Sequence, residues 1–182
     1  MGLAGAALER PRPMDAGDVP LALAFDCGVP ELNRWLQNYA WQNHNSGGAR
    51  VYVSIDKDAN RIAGFFCLSA ASVDYKSAPG RVAHGLARHE IPVALIGRLG
   101  VDQSYRDREL GRFLVLEAFR RVLEVADTMG IRAIIVVAKD DRVAEFYKKL
   151  GFEVSIGDPK LFFMTLKDAK KSCADALGRS AP

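Results

Sequence analysis

Residues 92–139 constrain the chain more than any other stretch. "PVALIGRLGVD" (92–102) is a short apolar run that reads as a buried strand. The polar stretch "QSYRDRE" (103–109) follows it. Then Leu110, Phe113, Leu114, Leu116, Ala118, Val122, Leu123 and Val125 recur at helical spacing, and Gly130 ends the pattern. "IRAIIVVAK" (131–139) is β-branched and reads as a second buried strand. A strand, a long helix and another strand in succession belong to an α/β domain.

The flanks fit that class. "PLALAFDCG" (20–28) reads as a short first strand, and Pro30 opens a helix carrying Leu32, Trp35, Leu36 and Tyr39 until Asn45–Gly48 stop it. "ARVYVSID" (49–56) and "RIAGFFCLSAASVDY" (61–75) read as a hairpin across "KDAN". Residues 76–91 read as a loop with a helical turn. "DDRVAEFYKKLG" (140–151) reads as a helix capped by Asp140 or Asp141 and stopped by Gly151. "FEVSI" (152–156) and "LFFMTLK" (161–167) close the pattern as a second hairpin, and the tail either continues as a helix or frays. There is no internal repeat. The expected division is an irregular segment over 1–18, one α/β domain over 19–167 and a tail over 168–182.

A chain of 182 residues, 49% apolar and 26% charged, suits one such domain. A net charge of +3 is too small to imply nucleic-acid binding by itself, though it suits an anionic partner. Cys27, Cys67 and Cys173 are odd in number and form no CxxC pair. No disulfide framework and no metal site is expected, and a reducing cytoplasm is. No apolar run reaches the roughly 18 residues that span a bilayer. Arg10 and Arg12 follow the short apolar start instead of preceding it, so no signal peptide is read, and Ala6 does not fit a myristoylation motif.

"YRDRELGR" (105–112) bears the first chemical reading. A loop entering a helix exposes unpaired N–H groups at the positive end of the helix dipole, where an anion binds. Arg106, Arg108 and Arg112 add charge, and a pyrophosphate is the natural guest. The same residues also read as a solvated helix start, because Asp107 and Glu109 favour a helix N-terminus with no ligand.

Downstream, Ala144-Glu145-Phe146-Tyr147-Lys148-Lys149-Leu150-Gly151-Phe152 resembles the A-x-x-F-Y-x-x-x-G-F segment of the GNAT N-acetyltransferase superfamily. "YRDRELGR" then resembles its pyrophosphate motif, Arg/Gln-x-x-Gly-x-Gly/Ala. "FDCGVPELNRWLQNYAWQN", "SGGARVYV" and "IPVALIGRLGVD" extend the likeness, over residues 20–166, to the GNAT-type toxins of bacterial toxin–antitoxin pairs. The resemblance implies a central mixed, mostly antiparallel sheet splayed at its fourth and fifth strands, with flanking helices. It implies acetyl-CoA as donor, no metal, and the α-amine of aminoacyl-tRNA as acceptor. It further implies a homodimer and a small ribbon-helix-helix antitoxin.

By the same resemblance, the backbone of Leu99, Gly100 and Val101 binds the acetyl carbonyl and pantetheine. Arg106, Asp107, Arg108, Glu109, Leu110, Gly111 and Arg112 take the pyrophosphate, and Tyr147 protonates the leaving thiolate. A phenol suits that task, since it donates a proton and hydrogen-bonds a developing anion. His44, His84 and His89 are the residues chemically able to act as base, with no dedicated base as the alternative. A tRNA acceptor calls for cations, for which Arg34, Arg81, Arg88, Arg98, Lys148 and Lys149 are available. Arg98 lies inside an apolar run and is expected to need a partner, in an ion pair or in the active-site groove.

The chain departs from the family at Glu109, where the motif has its central glycine. A carboxylate about 4 Å from a phosphate charge costs on the order of 1 kcal/mol in water and about 4 at an effective dielectric of 20. Weakened acetyl-CoA binding is therefore expected. Two other functions stay open: acetylation of a small amine or protein N-terminus, and a catalytically weakened fold kept as a binding or regulatory protein.

Overall fold

A computed structural model describes residues 8–106 and 108–178. Within them the strands hydrogen-bond in the order β1-β2-β3-β4-β5-β7-β6. They comprise β1 (Arg12–Pro13), β2 (Arg50–Asp56), β3 (Arg61–Val73), β4 (Ile91–Val101), β5 (Ala133–Val137), β6 (Glu153–Val154) and β7 (Leu161–Thr165). The helices are α1 (Val19–Ala22), α2 (Pro30–Asn38), α3 (Ala40–Ser46), α4 (Gly80–Ala83), α5 (Leu110–Ala126), α6 (Asp141–Lys149) and α7 (Leu166–Gly178). The sheet is mixed: β4 and β5 run parallel, whereas β1–β2, β2–β3, β5–β7 and β6–β7 run antiparallel. This is the expected fold class.

The chain divides into two compact groups. The first takes the described residues up to Ser69 together with Gly97–Glu117. Its core is built from Phe25, Trp35, Leu36, Val51, Val53, Ile55, Ile62 and Phe65. Burying a side chain of this size removes apolar surface worth about 1.5–3 kcal/mol each. Two expectations for this group change. "PLALAFDCG" is not a strand, because α1 begins at Val19 with Pro20 in its first turn. Proline's missing N–H costs nothing there, and its fixed φ favours the helix. The first strand is instead Arg12–Pro13, paired with Val53 and Tyr52. The helix expected from Pro30 is also interrupted, at Tyr39 (φ −126°, ψ −23°), whose carbonyl accepts from both the backbone and the side-chain amide of Asn43 at 3.0 and 2.9 Å.

Residues 8–18 are tied to this group by hydrogen bonds. Arg12 donates to both carboxylate oxygens of buried Asp18 at 2.8 Å, and Asp18 also accepts from the Asp15 N–H at 2.9 Å. Arg10 Nε donates at 2.7 Å to Glu117, buried on α5.

The second group holds Ala70–Ile96 and the described residues from Ala118 onward. The β4–β5 register runs from Val93 opposite Ala133 to Ile96 opposite Val136. β7 continues the sheet beside β5, and the two-residue β6 lies beyond it. β6 is shorter than the expected 152–156 because the Ile156 N–H turns to the Ser77 carbonyl at 3.1 Å. Val73, Val82, Ile91, Val93, Ile135 and Phe163 pack one face of this group. The tail is helical, with Thr165 Oγ1 accepting from the Asp168 N–H at 3.1 Å at the start of α7.

Candidate active site

The first group carries the loop expected to take a pyrophosphate. β4 leads into it through Leu99, Gly100 and Val101. An added Cβ on Gly100 would stand 2.9 Å from Phe65 Cε1 and 3.3 Å from Phe25 Cζ. Packing alone therefore demands glycine at this place. Asp102 is buried and caps the following turn by accepting from the Ser104 N–H at 2.9 Å. Tyr105 is buried, and its hydroxyl donates to Asp56 at 2.7 Å. Burial first, and then that bond, push the Tyr105 hydroxyl up to about 12, while the Ala59 N–H and the phenol hold Asp56 below the usual carboxylate range. Tyr105 is thus an anchor that keeps its proton.

Beyond the anchor, Arg106 Nη2 donates to the Cys27 carbonyl at 2.7 Å, and the Arg108 guanidinium lies 5.4 Å from the centre of the Tyr105 ring. Asp107 lies outside the described residues. Glu109 adopts φ +56°, the left-handed region that glycine enters freely and other residues enter at roughly 1–2 kcal/mol. Its carbonyl accepts from the Phe113 N–H at 3.0 Å, so it is the residue from which α5 departs. Its carboxylate is exposed and sits 4.0 Å from Arg112 Nη1.

Leu110 anchors the first turn of α5 by burial. As first-turn groups, the N–H donors of Leu110, Gly111 and Arg112 have no acceptor within the helix. Those donors, the helix dipole and the guanidinium groups of Arg108 and Arg112 fit an anionic ligand. The Glu109 carboxylate opposes it, and the Arg112 contact partly neutralises that opposition.

The other cations of this group sit differently from expectation. Arg98 is exposed, and its guanidinium lies 4.4 Å from the centre of the Trp35 ring. Trp35 in turn stacks on Phe65 at 6.1 Å. The partner expected for Arg98 is thus an aromatic face instead of a carboxylate. Arg34 is exposed on α2. His44 Nδ1 accepts from the Val51 N–H at 3.0 Å, and burial holds the ring below its usual pKa. That nitrogen is committed to the backbone, which fits a structural histidine.

In the second group, Asp140 caps α6 by accepting from the Val143 N–H at 2.9 Å. Tyr147 is buried on the inner side of α6, with ring centroids of Phe146 and Phe152 at 5.2 and 5.3 Å. Gly151, at φ +93°, turns the chain so that the Phe152 N–H reaches the Tyr147 carbonyl at 3.1 Å. The spacing in "FYKKLGF" is thus a helix end folding an aromatic back onto the tyrosine. Burial pushes the Tyr147 hydroxyl up to about 12, and no group among the described residues hydrogen-bonds it. At neutral pH it is a protonated, uncommitted donor.

Nearby cations in this group are partly occupied. Lys148 pairs with Glu145 at 2.7 Å, Arg81 pairs with Asp168 at 2.7 Å, and Lys149 is exposed. His84 and His89 are exposed and line a cavity of about 700 Å³ together with Lys76, Arg88 and Glu90. No metal-binding cluster occurs among the described residues. The loop residues Asp26, Gly28 and Gln103 and the buried Glu117 escaped the sequence reading, although an acid between Leu116 and Ala118 on an apolar helix stripe was a visible signal.

The family model described as an acetyltransferase (GNAT) domain matches residues 47–154, a span that includes both the arginine-rich loop and Tyr147. A protein of Mycobacterium tuberculosis named tRNA-acetylating toxin is 38% identical over 161 residues, covering 88% of this chain and 93% of its own. A probable toxin TacT of Sinorhizobium fredii is 27% identical, covering 91% and 96%. Among solved structures, AtaT complexed with acetyl-methionyl-tRNAfMet superposes with a TM-score of 0.82 at 24% identity, covering 90% of this chain and 98% of its own. The chain belongs to the GNAT family of acetyltransferases.

Proposed function

We propose that this acetyltransferase transfers the acetyl group of acetyl-CoA to the free α-amine of aminoacyl-tRNA, as the toxin of a toxin–antitoxin pair. The observation that carries the reading is the 38% identity to a tRNA-acetylating toxin over nearly the full length of both chains. The solved AtaT complex with an acetylated methionyl-tRNA supports the same acceptor. A solved structure of a mutant AtaT toxin bound to the C-terminus of the antitoxin AtaR and acetyl-CoA supports the donor and an antitoxin partner. We take that partner to be a ribbon-helix-helix protein, the enzyme to be a homodimer, and its compartment to be the cytoplasm. Among the described residues, no helix is long and apolar enough to cross a membrane.

Acetyl-CoA supplies a thioester activated for transfer to a neutral amine. In our reading Leu99, Gly100 and Val101 offer backbone donors to its acetyl and pantetheine part. Residues 106–112 offer N–H groups for its pyrophosphate, and Arg108 and Arg112 offer charge. Tyr147 holds the proton that meets the negative charge of the leaving sulfur. Arg34, Arg81, Arg98, Lys148 and Lys149 are the cations available to RNA phosphates, with Arg81 and Lys148 able to exchange an acidic partner for a phosphate.

The decisive experiment is incubation with labelled acetyl-CoA and a pool of charged tRNA. Label released with the aminoacyl group of RNA supports the reading. Label in protein or small amines, or in nothing, overturns it.

The pH dependence follows from the state of Tyr147. Its raised pKa of about 12 keeps it protonated across the working range. An α-amine of ordinary pKa near 8 loses its proton inside that range. The expected kcat/KM therefore rises with pH up to about 8 and then stays level to about 10. A fall of activity between pH 8 and 10 would contradict Tyr147 as the proton holder.

Glu109→Gly is expected to tighten acetyl-CoA binding. The carboxylate is exposed and beside Arg112, so repulsion near the aqueous limit of about 1 kcal/mol applies, giving a five- to tenfold gain. Titration calorimetry on both proteins measures it, and equal affinities would remove Glu109 as an attenuator.

A further inference from the structure

Arg106 heads the pyrophosphate motif, and its charge suggests a direct phosphate contact. Its side chain is engaged elsewhere. Nη2 donates to the Cys27 carbonyl at 2.7 Å, and an added Cβ on Gly28 would stand 2.7 Å from the same nitrogen. Gly28 itself holds φ +76°. The guanidinium therefore lies across a bare backbone that only glycine leaves open.

The turn it reaches is fixed on all sides. One Asp26 carboxylate oxygen accepts from the Gly28 N–H at 2.8 Å and from Asn33 Nδ2 at 2.7 Å. The other accepts from Gln103 Nε2 at 2.8 Å. The Asp26 carbonyl accepts from the Gln103 N–H at 2.9 Å, and the Asp26 N–H donates to buried Asp102 at 3.0 Å. The Gly28 and Asn33 bonds, the largest influences, hold Asp26 below the usual carboxylate range, so the turn keeps its charge-assisted bonds at neutral pH. Residues 26–28 and 102–106 thus form one hydrogen-bonded clamp at the base of the loop.

We infer that Arg106 is a positioning residue, which sets the pyrophosphate loop by bracing it against the Cys27 carbonyl over Gly28, and that its charge is not itself a phosphate ligand. This rests on the acetyl-CoA reading above. A brace to a neutral carbonyl needs reach and a donor but no charge, so losing it should weaken binding without changing the salt dependence that a phosphate contact would set. Losing a hydrogen bond of this kind costs about tenfold in whatever depends on the loop's geometry.

The test measures acetyl-CoA affinity by calorimetry at two or more salt concentrations for the wild type, Arg106→Ala, Gly28→Ala and their double mutant, with thermal midpoints to check folding. We expect Arg106→Ala to weaken binding about tenfold and Gly28→Ala at least as much, because φ +76° adds strain there, and the double mutant to lose less than the two losses multiplied, since both remove one contact. Arg106→Ala is expected to keep the salt dependence of the wild type. If the salt dependence falls in Arg106→Ala, Arg106 contacts phosphate and the inference is overturned. If Gly28→Ala binds as the wild type does, the brace is dispensable and the inference is likewise overturned. Absence of acetyl-CoA binding in the wild type would instead strike the reading of the site itself.

Discussion

Tyr147→Phe is expected to lower kcat for acetyl transfer by about 10²–10⁴-fold, the span for a positioned proton donor, and to leave acetyl-CoA affinity nearly unchanged. The two effects separate because the hydroxyl binds no neighbour among the described residues, while the ring is held by Phe146 and Phe152. Phenylalanine keeps that packing, so the thermal midpoint is expected to stay put. A thiol of ordinary pKa near 8.5 yields a weaker base than a phenolate near 12. Full transfer from Tyr147 to the sulfur is thus uphill, and its main contribution is a hydrogen bond to the charge that develops there. Single-turnover rates with charged tRNA, read beside calorimetry, test this. Unchanged turnover would take Tyr147 out of the mechanism.

The second large effect concerns stability. Arg12→Ala removes both bonds to the buried Asp18 carboxylate. A buried charge stripped of its partner costs about 3–5 kcal/mol, and the one-third exposure of Arg12 brings the expectation to about 2–3. For a chain of this size that lowers Tm by roughly 5–10 °C. The double variant Arg12→Ala/Asp18→Ala should recover part of the loss, because no charge is then left buried without its partner. A Tm shift below about 1 °C for Arg12→Ala would mean that residues 8–18 contribute little to the fold.

These two effects differ in how visible they were beforehand. The part of the fold from β4 to β7 was legible, because period-3.6 and β-branched runs there are long and end at Gly130 and Gly151. The Tyr147 segment was legible because the helix end, the left-handed glycine and the returning Phe152 are neighbours in sequence. "PLALAFDCG" misled because a short apolar run fits strand and helix alike, and Pro20 was the only local sign of a helix start. The Arg106–Cys27 bond joins residues 79 positions apart, and no local pattern announces such a contact. Arg98 was expected to need a partner because it lies in an apolar run, but it is exposed and lies over an aromatic ring 63 positions earlier. Glu109 was legible as a departure in chemistry, whereas its backbone angle was not.

That angle has a consequence for how the enzyme would respond to its surroundings. Because Glu109 holds a backbone conformation suited to glycine, the expected effect of its carboxylate is on donor affinity and not on the path of the loop. An enzyme that binds its donor loosely is not saturated, and its rate then follows donor concentration almost in proportion. Under the function proposed above, translation arrest would deepen when acetyl-CoA is plentiful and ease when it is scarce, so that one carboxylate ties the toxin's output to the carbon supply of the cell.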